Sequence, residues 1–258
     1  MKTTGYLGIH PETRPRIFAH RGLMFQGDLQ VADENTLTAF ELALEAGADY
    51  LESDVQVTKD RVPVLFHDGD LKRLVGKKTL ISDLTLAELN EIRLPRLGQI
   101  PTLAAALERF PTAKFNLDIK TPKSEAVGIE TILDMNATNR VLVSSFSERS
   151  RKRALAKSPA PLASSAGSSK VLATYLAARL NSTKSVSKQL AQIDALQIPT
   201  KRFGIDFTHP KFLELVFASS VEIHYWTIND PRQMLELFQL GAHGIVTDRA
   251  DLAVKTFS

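Results

Sequence analysis

Two histidines stand at the ends of short apolar runs that are typical of β-strands. His20 closes the run Ile17–His20, and His67 closes the run Val62–His67. A histidine can exchange a proton near neutral pH, and two of them could handle protons on both sides of a bond that is broken. This pair is the first indication of acid–base chemistry in the sequence.

Two carboxylates share the strand run Tyr50–Val57. Glu52 and Asp54 are separated by Ser53, and side chains two positions apart on a strand point to the same face. Two acids on an interior face repel each other and are costly to bury unless a cation joins them. We therefore expect a divalent ion with oxygen ligands, Mg²⁺ or Ca²⁺, with Mn²⁺ also acceptable. The alternative is that both acids form salt bridges with lysines at the rim of the sheet.

A further strand run, Phe115–Lys120, carries an acid and a base at the same spacing. Asp118 could be a third carboxylate ligand, and Lys120 could neutralise a phosphate oxygen. Arg21, which follows His20, is a permanent cation that can bind a phosphate with two N–H groups. Three acids, two histidines and two cations suit a phosphodiester, whose hydrolysis needs charge neutralisation and proton transfer.

These residues belong to strand runs that alternate with stretches of helical periodicity. Because strands and helices alternate, we expect a parallel sheet with right-handed crossovers. A length of 258 residues suits an α/β protein with the eight strands of a TIM (β/α)8 barrel, whose chemistry lies at the C-terminal strand ends. The predicted strands are Ile17–His20, Tyr50–Val57, Val62–His67, Phe115–Lys120, Val141–Phe146, Pro161–Ser165, Ala195–Ile198, Val221–Ile228 and Gly244–Thr247. The predicted helices include Thr36–Ala46, Thr102–Phe110, Tyr175–Leu180, Pro210–Ser219 and Pro231–Leu240.

One interval is too short for a crossover helix. Only residues 58–61 separate the second and third strand runs, so these runs are expected to form a hairpin. If Val57 faces Val62, antiparallel pairing places Glu52 opposite His67. Counting the hairpin as an extension at the C-terminal rim leaves eight parallel strands.

The remaining segments fit one barrel domain over residues 1–258. Gly69–Pro101 lacks a clear strand but contains the short amphipathic helix Leu84–Leu89, so we expect an excursion on the barrel. Ser164–Ser169 and Asn181–Ser187 are rich in Ser and Thr and are expected to be loops.

Composition excludes several classes of protein. The chain has no cysteine, so disulfides and thiolate metal sites are ruled out. Its 32 basic and 29 acidic residues give a net charge of only +3, and the basic cluster 149–153 is expected to be a solvated helix face, so no nucleic-acid partner is expected. Residues 1–15 lack the apolar core of a signal peptide, and no apolar run is long enough to span a membrane. We expect a cytoplasmic protein without stable membrane insertion; the sequence leaves its oligomeric state open.

Ordered motifs along nearly the whole chain resemble the glycerophosphodiester phosphodiesterase family. No single motif is specific, but their number and order are. They are His20-Arg21-Gly22, Glu34-Asn35-Thr36, Gly47 to Val55, Thr58-Lys59-Asp60, His67-Asp68, Leu71-Lys72-Arg73, Ile100 to Leu103, Phe115 to Lys120, Ser145-Phe146-Ser147, Trp226 to Asp230 and Gly241 to Asp248.

The resemblance implies a TIM barrel that uses a divalent metal to hydrolyse a small glycerophosphodiester to glycerol 3-phosphate and an alcohol. It places the acid–base pair at His20 and His67, and the metal ligands at Glu52, Asp54 and Asp118. In the family mechanism, one histidine takes a proton from the glycerol 2-hydroxyl, which attacks phosphorus, while the other protonates the leaving alcohol. Water then opens the cyclic phosphate. Which histidine acts first is left open.

Several residues have two interpretations or depart from the family pattern. Trp226 is either a wall for the glycerol moiety or a core residue, and Glu34 is expected to cap the first helix rather than join the charged mouth. Asp118 stands where the family often has the longer glutamate, which predicts altered metal preference or specificity without loss of activity. Asp33 replaces a usual proline, and Arg61 replaces a turn glycine that favours positive φ.

Three other functions compete with the first. A related barrel lyase would form cyclic phosphates from phospholipids, but such relatives are typically secreted and disulfide-bonded. A lysophospholipase D of the same family would need an apolar channel near the mouth. A barrel that only binds its ligand would not need both His20 and His67.

Overall fold

A computed structural model of the chain describes residues 5–8 and 13–258. Its strands have the bounds β1 (Arg16–His20), β2 (Phe25–Gln26), β3 (Leu29–Gln30), β4 (Tyr50–Val57), β5 (Pro63–Leu65), β6 (Lys114–Ile119), β7 (Val141–Ser144), β8 (Ala163–Ser164), β9 (Ala195–Ile198), β10 (Lys201–Arg202), β11 (Ile205–Asp206), β12 (Glu222–Tyr225) and β13 (Gly244–Thr247).

The main sheet is a barrel, as the sequence predicts. In the described part of the chain, eight parallel strands follow the order β8-β7-β6-β4-β1-β13-β12-β9, and β5 pairs antiparallel with β4. A parallel bridge between Ser165 and Ala195 joins the two ends of this order. The result is a nearly closed TIM barrel with its hairpin extension on β4.

Helices surround the barrel. They are α1 (Leu37–Glu45), α2 (Lys72–Val75), α3 (Leu86–Asn90), α4 (Leu103–Arg109), α5 (Pro122–Asp134), α6 (Glu148–Leu155), α7 (Ser168–Arg179), α8 (Thr183–Leu190), α9 (Pro210–Phe217), α10 (Pro231–Gln239) and α11 (Ala250–Phe257). None of the helices in residues 5–8 and 13–258 combines the length and apolarity that a bilayer crossing requires. The loop predicted over Asn181–Ser187 is wrong, because Ser182 caps α8 through the N–H of Ser185 and the helix buries Val186 and Leu190.

The hairpin forms where it is predicted, but its register differs by one residue. Val57 pairs with Pro63, and the predicted pairing of Val57 with Val62 is wrong. The N–H of Val62 donates to Thr58 Oγ1 at 2.9 Å, so Thr58 and Val62 belong to the turn and not to the ladder. Arg61 has the positive φ (66°) expected at the glycine position of the family turn. Since the ladder ends at Leu65, the predicted placement of Glu52 directly opposite His67 is also wrong.

The excursion has its own apolar core and is tied to the barrel rim. Its cluster packs on the back of the hairpin and contains Val64, Phe66, Leu71, Ile81, Leu89, Ile92, Leu94 and Ile100. The buried carboxylate of Asp33 accepts hydrogen bonds from the N–H groups of Arg96 and Gly98 at 2.9 and 3.1 Å. The aspartate in place of the family proline therefore fixes the excursion beside the loop after β1.

A cluster of ionisable side chains is buried at the N-terminal end of the barrel strands, opposite the C-terminal ends where chemistry is expected. Arg16 is 3% exposed and binds Glu222 through two hydrogen bonds of 2.9 and 3.0 Å. His224, which is fully buried, lies 2.9 Å from the same carboxylate. This contact satisfies the buried imidazole of His224. Burial opposes the ionisation of Glu222, but His224 and Arg16 outweigh it and lower its pKa to about 2.

Glu222→Gln is expected to destabilise the fold and to change its response to acid. The folded-state pKa of Glu222 lies below the unfolded value of about 4.3, so its stabilisation is complete above that value and is lost as pH falls toward 2. A shift of this size corresponds to about 3 kcal/mol. Urea unfolding at several pH values should give the variant a free energy of unfolding that is lower than that of the wild type by this amount at pH 7. Between pH 4.5 and about 2 this free energy should decline less in the variant than in the wild type. Glu214→Gln, at an exposed ion pair with Lys211, is the control; equal effects of both changes would contradict the prediction.

Candidate active site

All eight residues that the sequence singles out line a cavity of about 590 Å³ at the C-terminal strand ends. They arrive there on different elements because parallel strands end at the same rim. They are His20, Arg21, Glu52, Asp54, His67, Asp118, Lys120 and Trp226. The strand register brings the first of them together: His20 pairs with Glu52, and Asp54 pairs with Asp118.

His20 is held by a carboxylate from the last barrel strand. Its Nδ1 lies 2.6 Å from Asp248 Oδ1, and Asn229 Nδ2 donates to the other oxygen of Asp248 at 2.7 Å. Burial opposes the ionisation of Asp248, but the hydrogen bond with His20 outweighs it and lowers its pKa. An ionised Asp248 must accept from Nδ1–H, which leaves Nε2 of His20 as the nitrogen for a substrate. Burial lowers the pKa of His20, but Asp248 and Glu52 raise it above its usual value.

His67 is held by a different arrangement. Its Nδ1 lies 2.8 Å from Asp68 Oδ1, while Arg73 Nε donates to Asp68 Oδ2 at 2.6 Å. Arg73 also binds both oxygens of Glu34, and Glu34 accepts a third hydrogen bond from Arg21 at 3.0 Å. Glu34 therefore belongs to the charged mouth, and the expectation that it mainly caps the first helix is wrong.

The three carboxylates are buried next to cations. Lys120 Nζ lies 2.7 Å from Asp54 Oδ1 and 2.7 Å from Asp118 Oδ2, and Arg21 Nε lies 3.5 Å from Asp54 Oδ2. Burial and the charge of Asp54 raise the pKa of Glu52 to about 7. Burial also raises the pKa of Asp118. For Asp54, the charges of Lys120 and Arg21 outweigh burial and lower its pKa.

The loop after β1 also contacts the buried carboxylates. The N–H of Arg21 donates to the side chain of Glu52 at 3.1 Å, with Arg21 in the left-handed region at φ 60°. Gly22 follows at φ 86°, where a Cβ would lie 2.7 Å from Ala39, so only glycine fits. The amide of Asn35 donates to Asp54 at 3.1 Å and orients that carboxylate.

The donor set fits a divalent cation. No three His, Asp or Glu side chains among residues 5–8 and 13–258 are gathered closely enough to enclose an ion, and Lys120 contacts both Asp54 and Asp118. Three buried carboxylates, two of them with a raised pKa, are nevertheless what a hard cation would stabilise. Asn116 Oδ1 adds a buried oxygen that has no hydrogen-bond partner in the described part of the chain, and this residue also lines the cavity.

Apolar side chains line the solvent-exposed part of the cavity. Phe146, Leu172 and Phe203 are exposed there, and Trp226 also lines the cavity, whereas the three carboxylates are buried. The rings of Phe146 and Trp226 meet edge to face with centroids 5.8 Å apart. The cavity therefore has a charged inner end and an apolar outer end.

Residues 20–252 match the glycerophosphoryl diester phosphodiesterase family. This match runs from His20, the last residue of β1, into α11. The chain belongs to the glycerophosphoryl diester phosphodiesterase family. It is therefore an enzyme that hydrolyses phosphodiesters of the glycerophosphodiester class, as the sequence motifs predict.

Individual relatives align with most of the chain or with part of it. A Mycobacterium tuberculosis protein described as a probable glycerophosphodiester phosphodiesterase is 35% identical over 218 residues, which cover 84% of this chain and 83% of that protein. A human lysophospholipase D is 34% identical over 125 residues, 43% of this chain and 40% of its own length.

Solved structures of the family have the same fold. A glycerophosphodiester phosphodiesterase from Thermotoga maritima has a TM-score of 0.71 and 26% identity, over 94% of this chain and 98% of its own. A phosphodiesterase from Oleispira antarctica, solved with its product sn-glycerol 3-phosphate, has a TM-score of 0.74 and 24% identity over 94% and 96% of the two chains. The TIM barrel is thus the fold of this family.

Sequence reasoning missed the residues that hold the histidines. Asp248 and Asn229 lie in motifs that carry the family resemblance, but they are more than 200 residues from His20 in sequence and no spacing rule connects them. Asp68, which contacts His67, is the next residue in sequence. Asn116, which lines the cavity, precedes Asp118 by two positions. The alternation on the Phe115–Lys120 strand was the one signal that could have found Asn116.

Asp248→Asn is expected to lower kcat at least about 100-fold, since an asparagine cannot hold His20 in the tautomer that leaves Nε2 for the substrate. Steady-state rates on a glycerophosphodiester would test this, with KM changing much less than kcat. Asp251→Asn is the matched control, because Asp251 lies three residues further and binds Arg249 instead. A loss in both variants, or in neither, would contradict a positioning role for Asp248.

Proposed function

We propose that the protein hydrolyses glycerophosphodiesters to sn-glycerol 3-phosphate and an alcohol with a divalent metal, using His20 and His67 as the acid–base pair. The observation that carries this proposal is the position of the two histidines. His20 pairs with Glu52 on the neighbouring strand, an aspartate contacts Nδ1 of each histidine, and both side chains line the same cavity.

Each histidine can exchange one proton with the substrate. Both use Nδ1 to contact an aspartate, which leaves Nε2 for a hydroxyl of the substrate. One takes the proton from the attacking hydroxyl, and the other gives a proton to the leaving alcohol. The same pair can then activate water to open a cyclic phosphate. Arg21 and Lys120 offer positive charge to the phosphate, and Trp226 offers an apolar wall to the glycerol carbons.

Glu52, Asp54 and Asp118 would hold the divalent ion. Their oxygens suit Mg²⁺ or Ca²⁺, with Mn²⁺ as a further candidate. When bound, the ion supplies positive charge that stabilises the phosphate oxygens during the reaction. The shorter Asp118, in place of the glutamate frequent in the family, is expected to affect which ion is preferred. A cytoplasmic location remains our prediction for the enzyme.

His20→Ala and His67→Ala are each expected to lower turnover about 100-fold or more, because each removes one proton transfer. A coupled assay for glycerol 3-phosphate, on glycerophosphocholine and glycerophosphoethanolamine, would measure this. His209→Ala is the control, since His209 is exposed at the start of α9 and its imidazole accepts from the N–H of Lys211. Turnover that survives both substitutions would show that the acid–base pair is assigned wrongly.

Removal of divalent metal is expected to abolish turnover, and addition of Mg²⁺, Ca²⁺ or Mn²⁺ is expected to restore it. Asp118→Asn should raise the metal concentration for half-maximal activity by at least about tenfold, since even residues that only orient metal ligands have effects of this size. Titration of the chelated enzyme with each ion would check this. Asp206→Asn, at a rim carboxylate on β11, is the control. Full activity in the presence of chelator would contradict metal dependence.

A second candidate substrate is a lysophospholipid, cleaved either in the manner of a lysophospholipase D or with formation of a cyclic phosphate. The exposed apolar side chains in the cavity wall support this candidate, because an acyl chain could pack against them. A relative that aligns with 43% of this chain is named a lysophospholipase D. The charged inner end would be used in the same way for both substrates.

Phe146→Ser separates the two substrates. If the apolar half binds an acyl chain, the loss of this ring should raise KM for lysophosphatidylcholine about tenfold, while KM for glycerophosphocholine changes little. The ratio of the two KM values in the variant and in the wild type is the measurement. Equal changes for both substrates would argue against an acyl-chain channel.

A further inference from the structure

Large apolar side chains are exposed on loops at the C-terminal rim, the end of the barrel that holds the active-site cavity. Phe203 is 89% exposed at the tip of the β10–β11 hairpin, Leu97 is 80% exposed in the excursion, and Leu29 is 67% exposed on the β2–β3 hairpin. The two hairpins follow the barrel strands β9 and β1, and the excursion is bound to the loop after β1 through hydrogen bonds of Arg96 and Gly98 to Asp33. Leu180 and Leu240 are also exposed, 81% and 43%, at the opposite end of the barrel, so the rim is distinguished by the groups that accompany its apolar side chains and by its place at the cavity.

The most exposed of these side chains is held on a short, paired hairpin. Arg202 pairs with Ile205 across the turn, and Phe203 and Gly204 both have positive φ, 50° and 76°. The ring of Phe203 therefore stands at the tip of an ordered turn. Its exposure is a property of that turn and not of an irregular loop.

Basic groups accompany the apolar tips. Lys201 and Arg202 are exposed and directly precede Phe203, and the exposed Arg96 directly precedes Leu97. Lys201 lies 3.6 Å from Asp206, whereas Arg202 has no carboxylate partner within residues 5–8 and 13–258. The guanidinium of Arg202 instead lies 5.1 Å from the ring centroid of Phe203. The partner that complements these groups is apolar and negatively charged.

The same surface leads into the active site. Phe146 and Leu172, which are 54% and 44% exposed, line the outer half of the cavity together with Phe203. Arg202 lies 5.9 Å from the ring centroid of Phe146 and so joins the hairpin to the cavity wall. A partner that covers these side chains would cover the entrance to the site.

We propose that this rim surface, formed by Leu97, Phe146, Leu172 and residues 201–203, docks on the surface of an anionic lipid bilayer. A bilayer is a planar partner that several separate loops can reach at once. Aromatic and aliphatic tips enter the boundary between headgroups and acyl chains, and adjacent Lys and Arg side chains bind anionic headgroups. Docking would present the cavity mouth to lipid-derived phosphodiesters, a consequence that rests on the proposed function, whereas binding to the bilayer does not.

Co-sedimentation of the full chain with vesicles tests the proposal. The wild type should sediment with vesicles of phosphatidylcholine mixed with phosphatidylglycerol, and much less with phosphatidylcholine alone. The double variant L97S/F203S should bind at least about tenfold more weakly, and K201A/R202A should lose about fivefold per removed charge. L240S is the matched control, since Leu240 is 43% exposed and follows α10 at the opposite end of the barrel.

Two results would overturn the proposal. One is a wild type that stays in the supernatant with anionic vesicles at low ionic strength. The other is an L97S/F203S variant that sediments as well as L240S while its circular dichroism is unchanged. Turnover of glycerophosphocholine without vesicles is measured separately. Vesicle binding without turnover would support the docking surface and contradict the proposed function, and turnover without vesicle binding would do the reverse.

Discussion

The burial of Glu52, Asp54 and Asp118 at the barrel mouth is the constraint on which the rest of the site depends. All three are less than 9% exposed, and burial disfavours their charged forms, so positive charge has to lie beside them. Lys120 and Arg21 supply it in this structure. The charges around the carboxylates are thus arranged for an anionic substrate and for a cation that binds it.

The parallel barrel brings these groups together by its register. His20 on β1 pairs with Glu52 on β4, which pairs in turn with Asn116 on β6, although the three lie far apart in sequence. A slip of one residue on β4 would turn Glu52 and Asp54 toward the surrounding helices. The apolar side chains that fix the register, Leu51 and Val55 among them, therefore also fix the chemistry.

Much of the fold and of the site follows from the sequence. The alternation of strand runs and helices indicates the barrel, and the period of two on β4 and β6 selects Glu52, Asp54 and Asp118. The hairpin register was predicted one residue off, because the side chain of Thr58 replaces a ladder hydrogen bond and no propensity rule anticipates this. The contact of Asp248 with His20 depends on β13 lying next to β1, which only closure of the barrel establishes.

The central claim is that a divalent ion at the buried carboxylates and the His20/His67 pair together hydrolyse a glycerophosphodiester. Phosphorus NMR of glycerophosphoethanolamine incubated with the purified enzyme tests it most directly, since diester, cyclic phosphate and monoester have separate resonances. The account predicts that the diester signal is replaced by that of glycerol 3-phosphate when Mg²⁺ or Ca²⁺ is present. It also predicts that the diester signal persists in chelator and in a variant with both histidines changed to alanine. A diester signal that persists with every ion, or that decays equally in the double variant, would contradict the account.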